Sequence, residues 1–174
     1  MDNLIYFILV AVIAFTITAI SIPQIVKVAQ AKDLCDKPNL RKVTKNVVPT
    51  LGGIAIFIGV TLGITLGGDG FPFFDLKFIF ASLLIIFFAG VKDDLVGISP
   101  NAKLFAIVFS IFILIFFAKL KFAHIYGLFG INELGFIPST LLTFFVGIVI
   151  INSLNLIDGI DGLASSIAVQ VSTI

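Results

Sequence analysis

The sequence predicts an all-α fold, a polytopic bundle of five transmembrane helices and the start of a sixth. Three observations carry that expectation. Hydrophobic residues make up 59% of the 174 positions, and mean hydropathy is +1.21. Charged residues make up only 12%, where a soluble domain carries roughly a quarter. The apolar residues also gather into five charge-free runs: Asn3 to Val26, Asn46 to Gly68, Phe78 to Val91, Leu104 to Ala118 and Leu134 to Ile157.

The first run fits the roughly 20 residues that cross a hydrocarbon layer. No A-x-A-like cleavage site follows it, so it reads as a retained span rather than a removable signal. The second and fifth runs are also long enough to span. The third and fourth are short enough to be buried or re-entrant segments instead, and reach spanning length only if extended. The third extends back to about Phe71, with Asp75 and Lys77 at the interface, and the fourth forward to about Phe122, with Lys119 and Lys121 snorkelling. Lipid leaves no partner for unpaired backbone, so runs of this kind must be helices. Ser99 followed by Pro100 reads as an N-cap and first helical residue, which starts the fourth helix there. A sixth helix begins at about Leu163. The chain ends at Ile174 inside an apolar stretch, which suggests one domain over residues 1–174 that is an N-terminal fragment of a larger bundle.

Parity puts loops 27–45, 92–103 and 158–162 on one face. That face holds Lys27, Lys32, Lys37, Arg41, Lys42, Lys45, Lys92 and Lys103, against Lys77, Lys119 and Lys121 on the other. The positive-inside bias makes the first face cytoplasmic and puts the N-terminus outside. Net charge is only +1, which gives a nucleic-acid partner no electrostatic support. Cys35 is the sole cysteine and His124 the sole histidine. The first excludes an internal disulfide, and the second sits in an outer loop where a surface role is expected.

Three polar stretches lie on the cytoplasmic face. In "GVKDDLVGISPNAK", Asp93 and Asp94 end the third helix, where the macrodipole disfavours negative charge. They are either a solvated acid pair bridged to Lys92 or Lys103, or carboxylates that hold a hard cation or accept a proton. In "NSLNLIDGIDGLA", Asn152, Asn155 and Asp158 recur every three residues along one helix end. Gly159 and Gly162 let the chain turn sharply after Asp158 and Asp161. These residues either cap helix ends or line a site, and polar groups at membrane depth favour the site. In "DKPNLRKVTKNVVPTLGG", the cations either anchor the loop to anionic lipid or dock phosphates. Pro49, Thr50, Gly52 and Gly53 open the second helix with free N–H groups suited to an anion.

Together these stretches resemble the polyprenyl-phosphate N-acetylhexosamine-1-phosphate transferases, glycosyltransferase family 4. The last stretch of site residues matches that family's N-x-x-N-x-x-D-G-x-D-G-L-A signature, and the acid-pair stretch its D-D-x-x-G-x-S-P-x-x-K pattern. The resemblance implies a magnesium-dependent enzyme, with manganese as a substitute metal, in the bacterial inner membrane. It implies transfer of N-acetylhexosamine-1-phosphate from a UDP-sugar to undecaprenyl phosphate with release of UMP, which initiates a cell-surface polysaccharide. It assigns Asp93 and Asp94 as the catalytic pair and Asp94, Asn155 and Asp158 as metal ligands. Lys45, Thr50, Lys103, Asn152, Asn155, Asp158 and Asp161 are assigned to substrate.

The "DKPNLRK" lead-in resembles the branch acting on UDP-N-acetylglucosamine, an undecaprenyl-phosphate N-acetylglucosaminyl 1-phosphate transferase type. Thr44 stands where many of that branch have histidine. The branch that loads the peptidoglycan muramyl-pentapeptide is the alternative, and a non-catalytic membrane fragment is another. The family's later glycine-aspartate segment and histidine-rich loop have no counterpart in these residues. The partners implied are the UDP-sugar, the lipid phosphate and the membrane, with a homodimer left open. A transporter is the reading from a different class. It expects charges deep within several spans, whereas here they cluster at the cytoplasmic ends.

Overall fold

A computed structural model describes residues 2–36, 48–66, 73–157 and 163–172. Among these described residues, six helices follow one another: α1 (Asp2–Ala31), α2 (Gly52–Leu66), α3 (Phe73–Val96), α4 (Pro100–Phe116), α5 (Phe136–Ile157) and α6 (Leu163–Ser172). Among the described residues, two helices are long and apolar enough to cross a membrane, Ile5–Ala31 and Phe136–Ile157. The order and number of helices match the expectation, and α6 begins at the expected residue.

Their lengths differ from it in three places. Helix α1 does not stop at Val26 but continues through Pro23 and Lys27 to Ala31. Proline removes one ladder hydrogen bond, yet in lipid the neighbouring backbone has no better partner than the helix itself. Helix α2 has 15 described residues, about 22 Å of rise, less than the roughly 30 Å hydrocarbon core. Helix α4 ends at Phe116 rather than near Phe122. Its last turn is closed by Phe117 and Ala118 amides on the Ile113 carbonyl, and Lys119 turns the chain with φ 57°. The Phe122 amide then donates to the Thr143 hydroxyl at 3.0 Å, which ties the segment to α5. Lys121 places its ammonium 4.6 Å from the Phe136 ring centre, and exposed His124 and Glu133 face each other across a short antiparallel bridge.

A short ladder also departs from an all-helical chain. Two-residue strands β1 (Cys35–Asp36) and β2 (Val48–Pro49) pair antiparallel, Cys35 opposite Pro49 and Asp36 opposite Val48. The pairing sets the residues just before α2 against those that follow α1.

Each helix pair packs through a different chemistry. Against α1, helix α2 presents buried Ala55, Gly59 and Gly63, one small residue per turn, so the two backbones approach closely. A Cβ on Gly59 would strike the Thr18 hydroxyl and lie 2.7 Å from the Ala14 carbonyl. Between α2 and α3, Phe57 stacks on Phe87 with ring centres 4.0 Å apart. Between α3 and α4, buried Ser82 and Ser110 meet oxygen to oxygen at 2.5 Å, and each hydroxyl oxygen also lies within hydrogen-bond reach of the other's main-chain carbonyl, at 3.2 and 3.0 Å, so the two protons are shared among three acceptors. Between α4 and α5, Ile107, Ile111 and Ile115 form a core against Phe144, Ile148 and Ile151. The outer surface is apolar, with Phe15, Phe105, Leu141 and Phe145 all exposed, as suits a bundle whose solvent is lipid.

Ser82→Ala is expected to lower bundle stability by only about 0.6–1.7 kcal/mol. The Ser110 hydroxyl keeps the Ser82 carbonyl as its acceptor, so no polar atom is orphaned. Thermal unfolding in detergent checks this, and a loss several times larger would mean that the serine pair fixes the α3–α4 register.

Candidate active site

The end of α3, the start of α4 and the end of α5 converge on one cavity of about 300 Å³. The apolar span of α3 finishes at Val91, and Asp93 and Asp94 occupy the helix's next turn, outside that span. Ser99 has extended backbone and its hydroxyl accepts from the Ala102 amide at 3.3 Å, with Pro100 in the first turn of α4. This is the N-cap that the sequence predicts, and it sets the phase of α4 so that Lys103, four residues later, faces back across the turn.

The result is a carboxylate held at both oxygens. Asp93 Oδ2 accepts from Lys103 Nζ at 2.8 Å, and Oδ1 accepts from the Ile98 amide at 3.1 Å. The hydrogen bond from Lys103 is the chief reason that the Asp93 carboxyl is held below its ordinary range. The Ile98 amide and the lysine's charge add to this, and partial burial opposes it. Because the folded-state value is depressed, the pair contributes stability above the unfolded carboxyl value of about 3.9. That contribution disappears as pH falls through the lower folded value. Acid titration of stability is therefore expected to lose its Asp93 component in Asp93→Asn, with the difference between variant and wild type vanishing at the most acid pH. A difference that persists there would mean that the ion pair is not its source.

Asp94 lines the same cavity, with Lys103 and Ala106 of α4 and Ile151 and Asn155 of α5. Asn155 donates Nδ2 to the Ile151 carbonyl at 2.9 Å, which leaves its Oδ1 as the acceptor. Deeper along the helices the lining becomes apolar, through Ile86, Phe87 and Ile107. Charge thus sits at the helix ends and hydrocarbon below it.

The expected site residues separate under this geometry. Asp93, Asp94, Lys103 and Asn155 come together. Asn152 lies one turn deeper, donates to the Ile148 carbonyl at 2.9 Å and is absent from the lining. Thr50 also stands outside the lining. Both its amide (3.1 Å) and its hydroxyl (2.8 Å) donate to the Leu34 carbonyl, which corrects the expectation that its N–H is free for an anion. Lys45, Asp158 and Asp161 lie outside the described residues.

Beyond the expected residues, Leu51, Ile54 and the Ile98 amide contribute to the site. The start of α2 forms a wall through Leu51, Gly53 and Ile54, and Leu51 turns the chain there with φ 72°. The Ile98 amide holds Asp93. Gly53 belongs to the helix start that the sequence offers to an anion, only the tertiary fold adds Leu51 and Ile54, and the Ile98 amide follows from a capping argument on the Val96–Gly97 boundary.

Among the described residues, no group of three His, Cys, Asp or Glu side chains forms a self-sufficient metal cage. The donors present are hard oxygens from Asp94 and Asn155. That set suits magnesium, which binds through one or two carboxylates and completes its shell with water and substrate phosphates.

Comparison with known proteins follows the same residues. The model of the family described as Glycosyl transferase family 4 matches residues 76–174. A probable undecaprenyl-phosphate N-acetylglucosaminyl 1-phosphate transferase of Bacillus subtilis (strain 168) is 37% identical over 167 residues, 93% of this chain and 45% of that protein. Undecaprenyl-phosphate alpha-N-acetylglucosaminyl 1-phosphate transferases of Salmonella typhi and Yersinia pestis are 34% and 33% identical. They align with 92% and 82% of this chain, and with 43% and 39% of their own lengths. The chain thus spans less than half the length of these relatives. No solved structure matches it.

Proposed function

We propose that this chain, which belongs to glycosyl transferase family 4, forms part of an enzyme that transfers N-acetylglucosamine-1-phosphate from UDP-N-acetylglucosamine to undecaprenyl phosphate and releases UMP. The observation that carries the reading is the convergence of Asp93, Asp94, Lys103 and Asn155 at the mouth of a cavity whose depths are apolar. A charged nucleotide and a lipid phosphate need such a boundary, with ionic groups where the helices leave the bilayer and hydrocarbon below.

The reaction joins an oxygen of the lipid phosphate to the sugar-bearing phosphorus of the donor. It breaks that phosphorus's bond to the bridging oxygen, whose electron pair leaves with UMP. Two anions must approach, so positive charge near the mouth lowers the barrier. Lys103 supplies it from a fixed position, because Asp93 orients the ammonium. Asp93 is held as an anion by that lysine and is a weak proton acceptor. The lipid phosphate, a monoester with a second pKa of about 6, is already largely ionised at neutral pH, so its attack needs no strong side-chain base. Asn155 offers Oδ1 to the nucleotide side. Asp94 and Asn155, with Asp158 as the further expected ligand, would hold magnesium, or manganese in its place, and the metal would supply neutralisation of the diphosphate.

In this reading the charged mouth faces the cytoplasm of a bacterial inner membrane. The product, a lipid-diphosphate-sugar, begins a surface polysaccharide. The test uses membranes carrying the chain in its full reading frame, with labelled UDP-N-acetylglucosamine and undecaprenyl phosphate. Lipid-extractable label and UMP are expected in equal amounts, abolished by EDTA and restored by magnesium. UMP release without lipid label would overturn the proposal. Turnover only with the muramyl-pentapeptide donor would move the chain to the other branch.

A further inference from the structure

Helix α3 ends in a way that acts on its own side chain. The Gly97 amide donates to the Asp93 carbonyl at 2.9 Å, and Gly97 has φ +73°, the left-handed residue that commonly stops a helix. The next amide, that of Ile98, donates at 3.1 Å to the Asp93 carboxylate. In the fuller form of this helix stop, that amide returns to a main-chain carbonyl of the last turn. The helix terminator is thus wired to the carboxylate at the cavity mouth.

We propose that Gly97 is a positioning residue: its left-handed backbone aims the Ile98 amide at Asp93 Oδ1, which fixes the carboxylate plane and presents Oδ2 to Lys103. The inference rests on the transferase reading for its consequence in turnover, and on the geometry alone for the placement of Asp93. Space does not explain the glycine, because a Cβ built there meets nothing within 4 Å. Nor does Gly97 line the cavity. What remains is conformation. An L side chain in the left-handed region is disfavoured, most strongly when β-branched, whereas asparagine tolerates it. On the other side of the carboxylate, Ser99 and Pro100 start α4 and the Lys103 amide donates to the Ser99 carbonyl at 3.0 Å. One three-residue turn therefore aims both partners of Asp93.

The test compares Gly97→Val, Gly97→Ala and Gly97→Asn in the full-length protein, purified in nanodiscs. Hydrogen–deuterium exchange is followed at the Ile98 amide, with α5 amides as a folding control. Gly97→Val is expected to speed exchange at Ile98 about tenfold and to lower kcat by a similar factor. KM for UDP-N-acetylglucosamine should move less than about twofold, since no lining residue is replaced and Asn155, on the nucleotide side, stays in place. Gly97→Ala should lie between, and Gly97→Asn should restore most of both readouts. A merely structural glycine would not give this ranking with a silent KM. Should the valine variant fail to accumulate, Gly97→Ala against Gly97→Asn carries the comparison.

The proposal is overturned if Ile98 exchanges alike in all variants, if the amide loosens while kcat stays at the wild-type value, or if asparagine damages as much as valine. Should the wild type itself transfer no sugar phosphate, the proposed function fails and the exchange ranking decides the placement of Asp93 by itself. A graded ranking then upholds it, and a flat one overturns it.

Discussion

Asp93→Asn is expected to lower UMP release at least about a hundredfold while leaving membrane insertion and the amount of folded protein unchanged. Asparagine has nearly the same shape, and its Oδ1 can still accept from the Ile98 amide that now bonds Asp93 Oδ1 at 3.1 Å. What it cannot do is accept from Lys103 with the nitrogen that replaces Oδ2, where the ion pair now stands at 2.8 Å. The ammonium then loses its fixed position at the cavity mouth, and the cavity loses a negative charge. Lys103→Met should give a loss of similar size. The double variant should lose little more than either single one, because both remove the same pair. Additive losses would mean that Asp93 and Lys103 act separately on substrate. Near-normal turnover in Asp93→Asn would remove Asp93 from the machinery altogether.

That experiment also bears on what the sequence could disclose. The acid pair, the lysine and the asparagine were readable because chemistry fixes residue type and spacing. The Ser99–Pro100 start of α4 was readable because capping is local. Which lysine pairs with Asp93 was not. Lys92 and Lys103 were equally admissible until the turn between α3 and α4 set their directions, and Lys92, adjacent on the helix, projects about 100° away from Asp93. Asn152 and Asn155 look equivalent as a three-residue repeat. Yet one turn of α5 separates the cavity mouth from a helix interior in which Asn152 bonds the Ile148 carbonyl. Hydropathy likewise could not end α1 or α4. Lys27 and Ala29 are compatible with continued helix, and the stop at Phe116 depends on Lys119 adopting φ 57° and on Thr143, a residue of a different helix.

The contact between α1 and α2 rests on a different kind of signal, carried by small residues rather than by hydropathy. Gly59 and Gly63 are four apart in an apolar helix, the small-xxx-small spacing that lets backbones approach in lipid. Hydropathy alone treats them as filler, although they decide how α2 is seated and hence where Leu51, Gly53 and Ile54 stand against the cavity.

Gly59→Leu is accordingly expected to destabilise the bundle by about 3 kcal/mol, the upper end of the overpacking range, and to reduce turnover along with stability. The first added atom would collide with the Thr18 hydroxyl and come within 2.7 Å of the Ala14 main-chain oxygen. A side chain can rotate away, but a helix backbone cannot, so α1 and α2 must separate. This predicts a specific pattern of rescue. Thr18→Gly should recover only part of the loss from Gly59→Ala, because the Ala14 carbonyl remains in place. Gly63→Ala should behave likewise, with the Ala14 Cβ at 2.9 Å and the Val10 carbonyl at 3.0 Å. Gly52→Ala on the same helix meets nothing within 4 Å and should leave the melting temperature within the small range typical of surface changes. Full rescue by Thr18→Gly would mean that the hydroxyl alone sets the spacing. Equal tolerance at positions 52 and 59 would show that α1 and α2 do not meet along this face.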